Sequence, residues 1–218
     1  KNDEPIPDPT FEWTTEIATD VPTFVVPDKT VELSYVAGNV KSVETEALPA
    51  GWSVTVDQTA NKIEISATAD AVTKATLKVT AQGAGTQTIS KNVDLYCLNT
   101  FDDPASVFVL NEGNMTTENG SLTWISPEGY VLDDAYKTVN GTELGNVAQD
   151  MAFYDGKIYI ISQNGNQNAN GTMFENDGML VVVDAHTLKR TAAFTNDDLQ
   201  GLYRPTHIAV LDAQHLYI

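Results

Sequence analysis

The sequence predicts an all-β chain, a β-sandwich followed by the first blades of a β-propeller, and reads as a fragment of a longer chain. Three observations predict it. Apolar and polar residues alternate with period two from residue 10 to residue 98, where helical spacing is nearly absent. Turn-forming residues punctuate that stretch at short intervals. Beyond residue 106 a longer pattern recurs with a period of about fifty residues, which marks a repeat architecture.

The first nine residues, "KNDEPIPDP", are polar, acidic and proline-rich. Such a segment buries too little apolar surface to fold and reads as a flexible tether. Residues 10–98 carry the alternation. In "WSVTVDQ", Trp52, Val54 and Val56 alternate with polar residues; in "KIEISAT", Ile63, Ile65 and Ala67 do the same. Leu77 and Val79 continue the rhythm, followed by Val93, Leu95 and Cys97. Each segment has one apolar and one wet face. The breaks "PDK", "AGN", "LPAG", "TAN" and "GAG" divide the stretch into about seven strands, which suits an immunoglobulin-like sandwich with Trp52 in its core. Cys97 is the single cysteine, so no internal disulfide forms, and its position makes it a core thiol.

Residues 99–106, "NTFDDPAS", read as a linker, and residues 107–218 as a partial propeller of about two blades. "VFVLNEGN" (107–114) matches "IYIISQNGN" (158–166), and "LYI" (216–218) begins a further copy. "GSLTWIS" (120–126) matches "GMLVVVD" (178–184), each followed by a short turn, "PEG" or "AHT". "AQDMAFYDG" matches "PTHIAVLDA", with Met151, Phe153 and Asp155 against Ile208, Val210 and Asp212. One unit therefore runs strand, tight Asp-containing turn, strand, long polar loop, strand, short turn, strand: the four antiparallel strands of a blade. The competing reading is a second small β-sandwich with an accidental repeat; three segments matching in the same order favour the blades.

In an up-and-down blade, the start of the first strand and the end of the second share one face, and the polar residues concentrate there. These candidate ligand-binding residues are Asn111, Glu112 and Asn114 in the first copy, Gln149, Asp150, Gln163 and Asn164 in the second, and Arg204 and His207 leading into the third. Asn166 accompanies them, and Asp150 and His207 hold the same repeat position. Against a ligand role stands the ability of Asn-Gly and Glu-Gly pairs simply to form turns.

Thirty Asp and Glu against twelve Lys and Arg give a net charge of −18, which argues against nucleic acid or acidic lipid as a partner. No run of eighteen apolar residues could span a bilayer as a helix, so membrane contact is expected only through an external anchor. Catalysis finds little support. His186, His207 and His215 show no metal spacing, no nucleophile motif occurs, and "ENDG" (175–178) lacks the run of a calcium loop. No cofactor or metal is expected. The sequons at Asn114, Asn119, Asn140 and Asn170 read as turns in a bacterial setting.

Three stretches resemble known families. The start, with Lys1, Asp3 and Glu4, resembles the mature end of Bacteroidetes-type surface lipoproteins, whose acidic run follows an acylated cysteine. "LPAGWSVTVDQTANKIEISA" resembles bacterial Ig-like and BACON-like modules, which act mostly as spacers. "VFVLNEGN", "NGSLTWISPEG" and "AQDMAFYDGKIYIIS" resemble the YncE-like seven-bladed propellers, among them BtuG-type surface lipoproteins that capture corrinoids such as vitamin B12 for a transporter. The resemblance implies a non-enzymatic lipoprotein on the extracellular face of a bacterial outer membrane. It implies capture of a small-molecule nutrient, a corrinoid first, for an outer-membrane transporter. Two alternatives stay open: a propeller lyase or hydrolase, with Asp150 or His207 in acid–base roles and further residues in missing blades, or a protein-binding scaffold or adhesin.

Overall fold

The computed structural model describes residues 5–218, which fall into two units joined between Asn99 and Thr100. Lys1, Asp3 and Glu4 lie outside the described residues. Among the described residues the chain is all-β, with one six-residue helix.

The first unit contains β1 (Thr10–Trp13), β2 (Thr23–Val25), β3 (Thr30–Gly38), β4 (Val40–Thr45), β5 (Trp52–Asp57), β6 (Lys62–Ala67), β7 (Lys74–Gly83) and β8 (Thr88–Cys97). They form two four-stranded sheets, ordered β1-β3-β6-β5 and β2-β8-β7-β4. Both sheets contribute to one core: Leu33, Ile63 and Ile65 from the first, Leu77, Val79 and Leu95 from the second. The residues at alternate positions are the buried ones, as a strand with one wet face requires. Trp52 is 7% exposed, and its indole N–H donates to the Val72 carbonyl at 2.6 Å, so the ring is buried without an orphaned donor.

Eight strands form where the turn spacing indicates about seven. The extra one is β2, three residues long and paired in parallel with β8, Thr23 opposite Leu95. Three residues are too few to display a period; β2 is a strand because β8 offers it an edge. The turn residues behave as their chemistry demands. Asp28, Asn39 and Asn61 adopt left-handed φ values of 64°, 54° and 55°, a region that Asn and Asp tolerate better than other non-glycine residues. Gly51 has φ of 84°, and a Cβ there would sit 2.4 Å from Ala71 Cα, so only glycine fits.

The second unit contains β9 (Val107–Asn111), β10 (Ser121–Ile125), β11 (Val131–Leu132), α1 (Ala135–Asn140), β12 (Asn146–Tyr154), β13 (Lys157–Gly165), β14 (Leu180–Asp184), β15 (Arg190–Phe194), β16 (Ala209–Val210) and β17 (Leu216–Tyr217). Strands β12 to β15 form an antiparallel sheet in chain order; β9 to β11 form a three-stranded sheet, and β16 with β17 a hairpin. β12 packs against β9 and against β16. Asp155 and Gly156, with φ of 47° and 70°, make the two-residue turn between β12 and β13, the positive pair that a tight hairpin requires. In the β14–β15 turn Asp184 Oδ1 accepts from the Thr187 N–H at 2.8 Å; at the equivalent position Ser126 Oγ accepts from Glu128 and Tyr130 N–H groups. The repeat is thus kept by turn chemistry as well as by apolar pattern.

Helix α1 sits between two sheets, at a place where the sequence pattern indicates none. Asp134 caps it by accepting from the Lys137 N–H at 3.1 Å, and Gly141 ends it at φ of 76°. Phe101 is fully buried edge-on against Trp124, its N–H donating to the His186 carbonyl at 2.8 Å and its carbonyl accepting from the Trp124 indole at 3.2 Å. The chain just after Asn99 is therefore fastened into the second unit.

Two measurements check this packing. Leu77→Ala is expected to cost about 2–5 kcal/mol of unfolding free energy in a urea titration, because Leu77 is fully buried at the centre of its core. Burial, with Asp28 nearby, pushes the Cys97 thiol up to about 11. It should therefore react with Ellman's reagent only after denaturation.

Candidate functional site

The long loops at one end of β12 and β13 need donors and acceptors for backbone that pairs with no strand. Asparagine supplies both on a short side chain. Asn146, fully buried at the start of β12, donates through Nδ2 to the carbonyls of Asn114 (2.8 Å) and Glu118 (2.9 Å). Its Oδ1 accepts from Asn164 Nδ2 at 2.8 Å. Asn196 Nδ2 donates to the Asn164 carbonyl at 2.9 Å, and Asn196 and Asn166 exchange side-chain-to-backbone bonds of 3.0 Å each way. Gly113 and Gly165, equivalent in the repeat, are left-handed at φ of 76° and 62°. A Cβ at Gly165 would lie 2.1 Å from Asn196 Oδ1, so glycine is what lets the network close.

A second polar centre falls within "ENDG" (175–178), which the sequence marks only as acidic residues without the run of a calcium loop. Asp177, 9% exposed, accepts hydrogen bonds from the Tyr136 hydroxyl, the Thr142 hydroxyl and the Arg190 guanidinium. Burial, reinforced by the bond to Asp177, raises the Tyr136 hydroxyl above its ordinary value. This carboxylate ties the loop before β14 to α1 and β15. In the sequence Asp177 is an acidic residue before Gly178, two positions ahead of β14, which also describes an ordinary turn.

The nine candidate residues divide by what they touch. Asn111 Nδ2 donates to the Ser121 and Thr123 hydroxyls across the β9–β10 pair (3.1 and 2.9 Å). Asn114 Oδ1 closes its own turn by accepting from Thr116 N–H and Oγ1. Asn164 belongs to the Asn146 network. These three are engaged in structure. Glu112 accepts from Gln149 Nε2 at 3.0 Å. Asp150 accepts from the Ile208 N–H at 3.0 Å and stands 3.6 Å from His207 Nδ1. Gln163, Asn164 and Arg204 line a cavity of about 270 Å³ together with Gln167, Asn196 and Tyr203. Asn111 instead borders a larger cleft of about 1100 Å³, whose walls include Glu118, Asp133, Asp134, Glu143 and Glu175.

Arg204 and Val147 hold the same repeat position, three residues before His207 and Asp150, and both are left-handed, at φ of 46° and 60°. In β12 the position coincides with a break in register between Asn146 and Asp150. Such a bulge re-aims side chains. Nothing in a valine or an arginine signals it, because both residue types avoid that conformation.

Charged pairs lie around this end and away from it. Hydrogen bonds from Lys137 and Asn119 hold the Glu143 carboxyl below its ordinary range, and Glu143 raises Lys137. A bond from His186 at 2.8 Å, with another from Thr100, lowers Asp102. Among the described residues no group of three or more His, Cys, Asp or Glu is placed to hold a metal ion, and no helix is long and apolar enough to cross a membrane.

This geometry defines a class, an all-β chain whose second unit repeats one strand-and-loop pattern and gathers its polar loops. The chain belongs to the family described as a domain of unknown function, DUF5074, which matches residues 105–218. No curated protein matches the chain. It is similar to the crystal structure of a quinonprotein alcohol dehydrogenase-like protein (BT1487) from Bacteroides thetaiotaomicron. The identity is 14% and the TM-score 0.40, over 94% of this chain and 44% of that one. The chain thus spans less than half the length of that structure.

Asp177→Ala is expected to cost on the order of 3 kcal/mol in a denaturant titration, since it strips three buried or partly buried donors of one acceptor. The carboxyls of Asp102, Glu143, Asp184 and Asp198 are all held low by hydrogen bonds in the folded state. Their contribution is complete above the ordinary carboxylate range and is lost as pH falls through the depressed values. Asp134, raised by burial, acts in the opposite sense. The thermal midpoint should therefore fall as pH drops below about 4.

Proposed function

We propose that the second unit is the opening part of a β-propeller, and that the loop ends of its sheets bind a small nutrient without transforming it. In this reading the first unit is an Ig-like spacer, and the whole is an exported lipoprotein of the outer-membrane surface that hands its ligand to a transporter. Four strands in antiparallel chain order, flanked by a three-stranded sheet and a hairpin that reuse the same turn positions, support the propeller. The observation that carries the binding role is the pairing of polar side chains between successive repeats. Glu112 of the first copy meets Gln149 of the second, and Asp150 of the second meets the backbone of Ile208, beside His207 of the third. Blades that place different polar groups at equivalent positions can present a varied set of donors and acceptors to one ligand.

A corrinoid is the first candidate ligand. A second reading, a lyase or hydrolase, draws on the Asp150–His207 pair, a carboxylate beside an imidazole at 3.6 Å. Calorimetry of the complete protein with cobalamin and cobinamide should give saturable heat, weakened at least five-fold by His207→Ala; absence of heat with every corrinoid ends that candidate. Turnover of any such ligand, abolished by Asp150→Asn, would move the assignment to the enzyme.

A further inference from the structure

The chain carries 30 acidic and 12 basic residues, yet the 270 Å³ cavity between the ends of β13 and the segment before β16 has no Asp or Glu in its wall. Its one charged side chain is Arg204. The guanidinium lies 5.5 Å from the centre of the Tyr203 ring, and no carboxylate pairs with it among the described residues. The other polar walls differ in how far they are committed. Asn168 and Asn196 spend their amides on loop backbone, and Asn164 donates to the buried Asn146 side chain. Gln163 and Gln167, by contrast, have no side-chain hydrogen bond among the described residues. Met179 and Leu202 supply apolar surface. The larger cleft beside Asn111 has the opposite character, with five carboxylates and a single lysine that is already paired to Glu143.

Resting on the binding role above, we propose that this cavity is a subsite for an oxyanion, the carboxylate or phosphate group of a small ligand. Arg204 grips the anion, Gln163 and Gln167 donate from the side, and the body of the ligand lies toward Tyr203, Met179 and Leu202. Arginine is the side chain suited to this task, because its planar fork of N–H donors matches two oxygens at once. The negative charge of the whole chain does not forbid it. Fields from distant carboxylates are screened beyond about 8 Å at physiological salt, which leaves the nearest groups to decide. A cavity of this size takes a small molecule or one peripheral group of a larger ligand.

The test uses the 218-residue chain, with benzoate, its neutral isostere benzamide, and inorganic phosphate, followed by the ¹H–¹⁵N signals of the Arg204 side chain and the Gln163 and Gln167 amides. At least one anion should shift these signals saturably, with benzamide at least ten-fold weaker. Arg204→Gln should abolish the response, and Arg204→Lys should retain part of it. Benzoate alone identifies a carboxylate subsite and phosphate alone a phosphoryl subsite. Equal binding of benzamide and benzoate, anion shifts that survive Arg204→Gln, or no response to either anion would overturn the proposal. The corrinoid titration reads the broader binding role independently of these outcomes.

Discussion

The second unit depends on one constraint: long loops that leave the ends of its strands must find partners for their backbone. A sheet satisfies its own N–H and C=O groups, but a loop tucked against a neighbouring sheet cannot, and each unsatisfied buried group costs about 1–3 kcal/mol. Asn146 answers this at the point of greatest need. Buried at the head of β12, it serves two carbonyls of the preceding repeat and one amide of its own. Asn164, Asn166 and Asn196 extend the same solution outward. Asparagine is suited to it because its amide offers donors and acceptor within one short, stiff side chain.

From that constraint follows the division of labour at the loop end. Some polar side chains are consumed in holding loops, and others keep their side-chain donors and acceptors uncommitted among the described residues. Asn111, Asn114 and Asn164 fall in the first group; Gln163, Gln167 and Arg204 fall in the second. Beside them stand the cross-repeat pairs Glu112–Gln149 and Asp150–His207, each joining one copy of the repeat to the next. Asp177 does for the loop before β14 what Asn146 does for the head of β12, with a carboxylate in place of an amide.

Much of the all-β class was legible because strand burial has a short, local period. Ile63, Ile65, Leu77 and Leu95 announce themselves by alternation, and Asp28, Asn39, Asn61 and Gly51 by the backbone angles their turns require. What the sequence hid was set by partners distant along the chain. β2 is a strand only because β8 receives it, and Phe101 is core only because Trp124 and the His186 carbonyl meet it. Helix α1 was signed by Asp134 and Gly141, yet six residues are too few to show a helical period. At the candidate site the polar loop residues stand out, but whether an asparagine holds a loop or faces solvent depends on where its amide lands. The left-handed backbone at Val147 and Arg204 carries no residue signature at all.

The most direct test of this account is backbone hydrogen exchange on Asn146→Leu, which keeps the bulk of the side chain and removes its donors and acceptor. Faster exchange is expected in two segments far apart in sequence, residues 112–120 and 166–178, while β13 and β14 keep their protection. Unchanged exchange in either segment would contradict it, since the loops would then be held by something other than the buried amide.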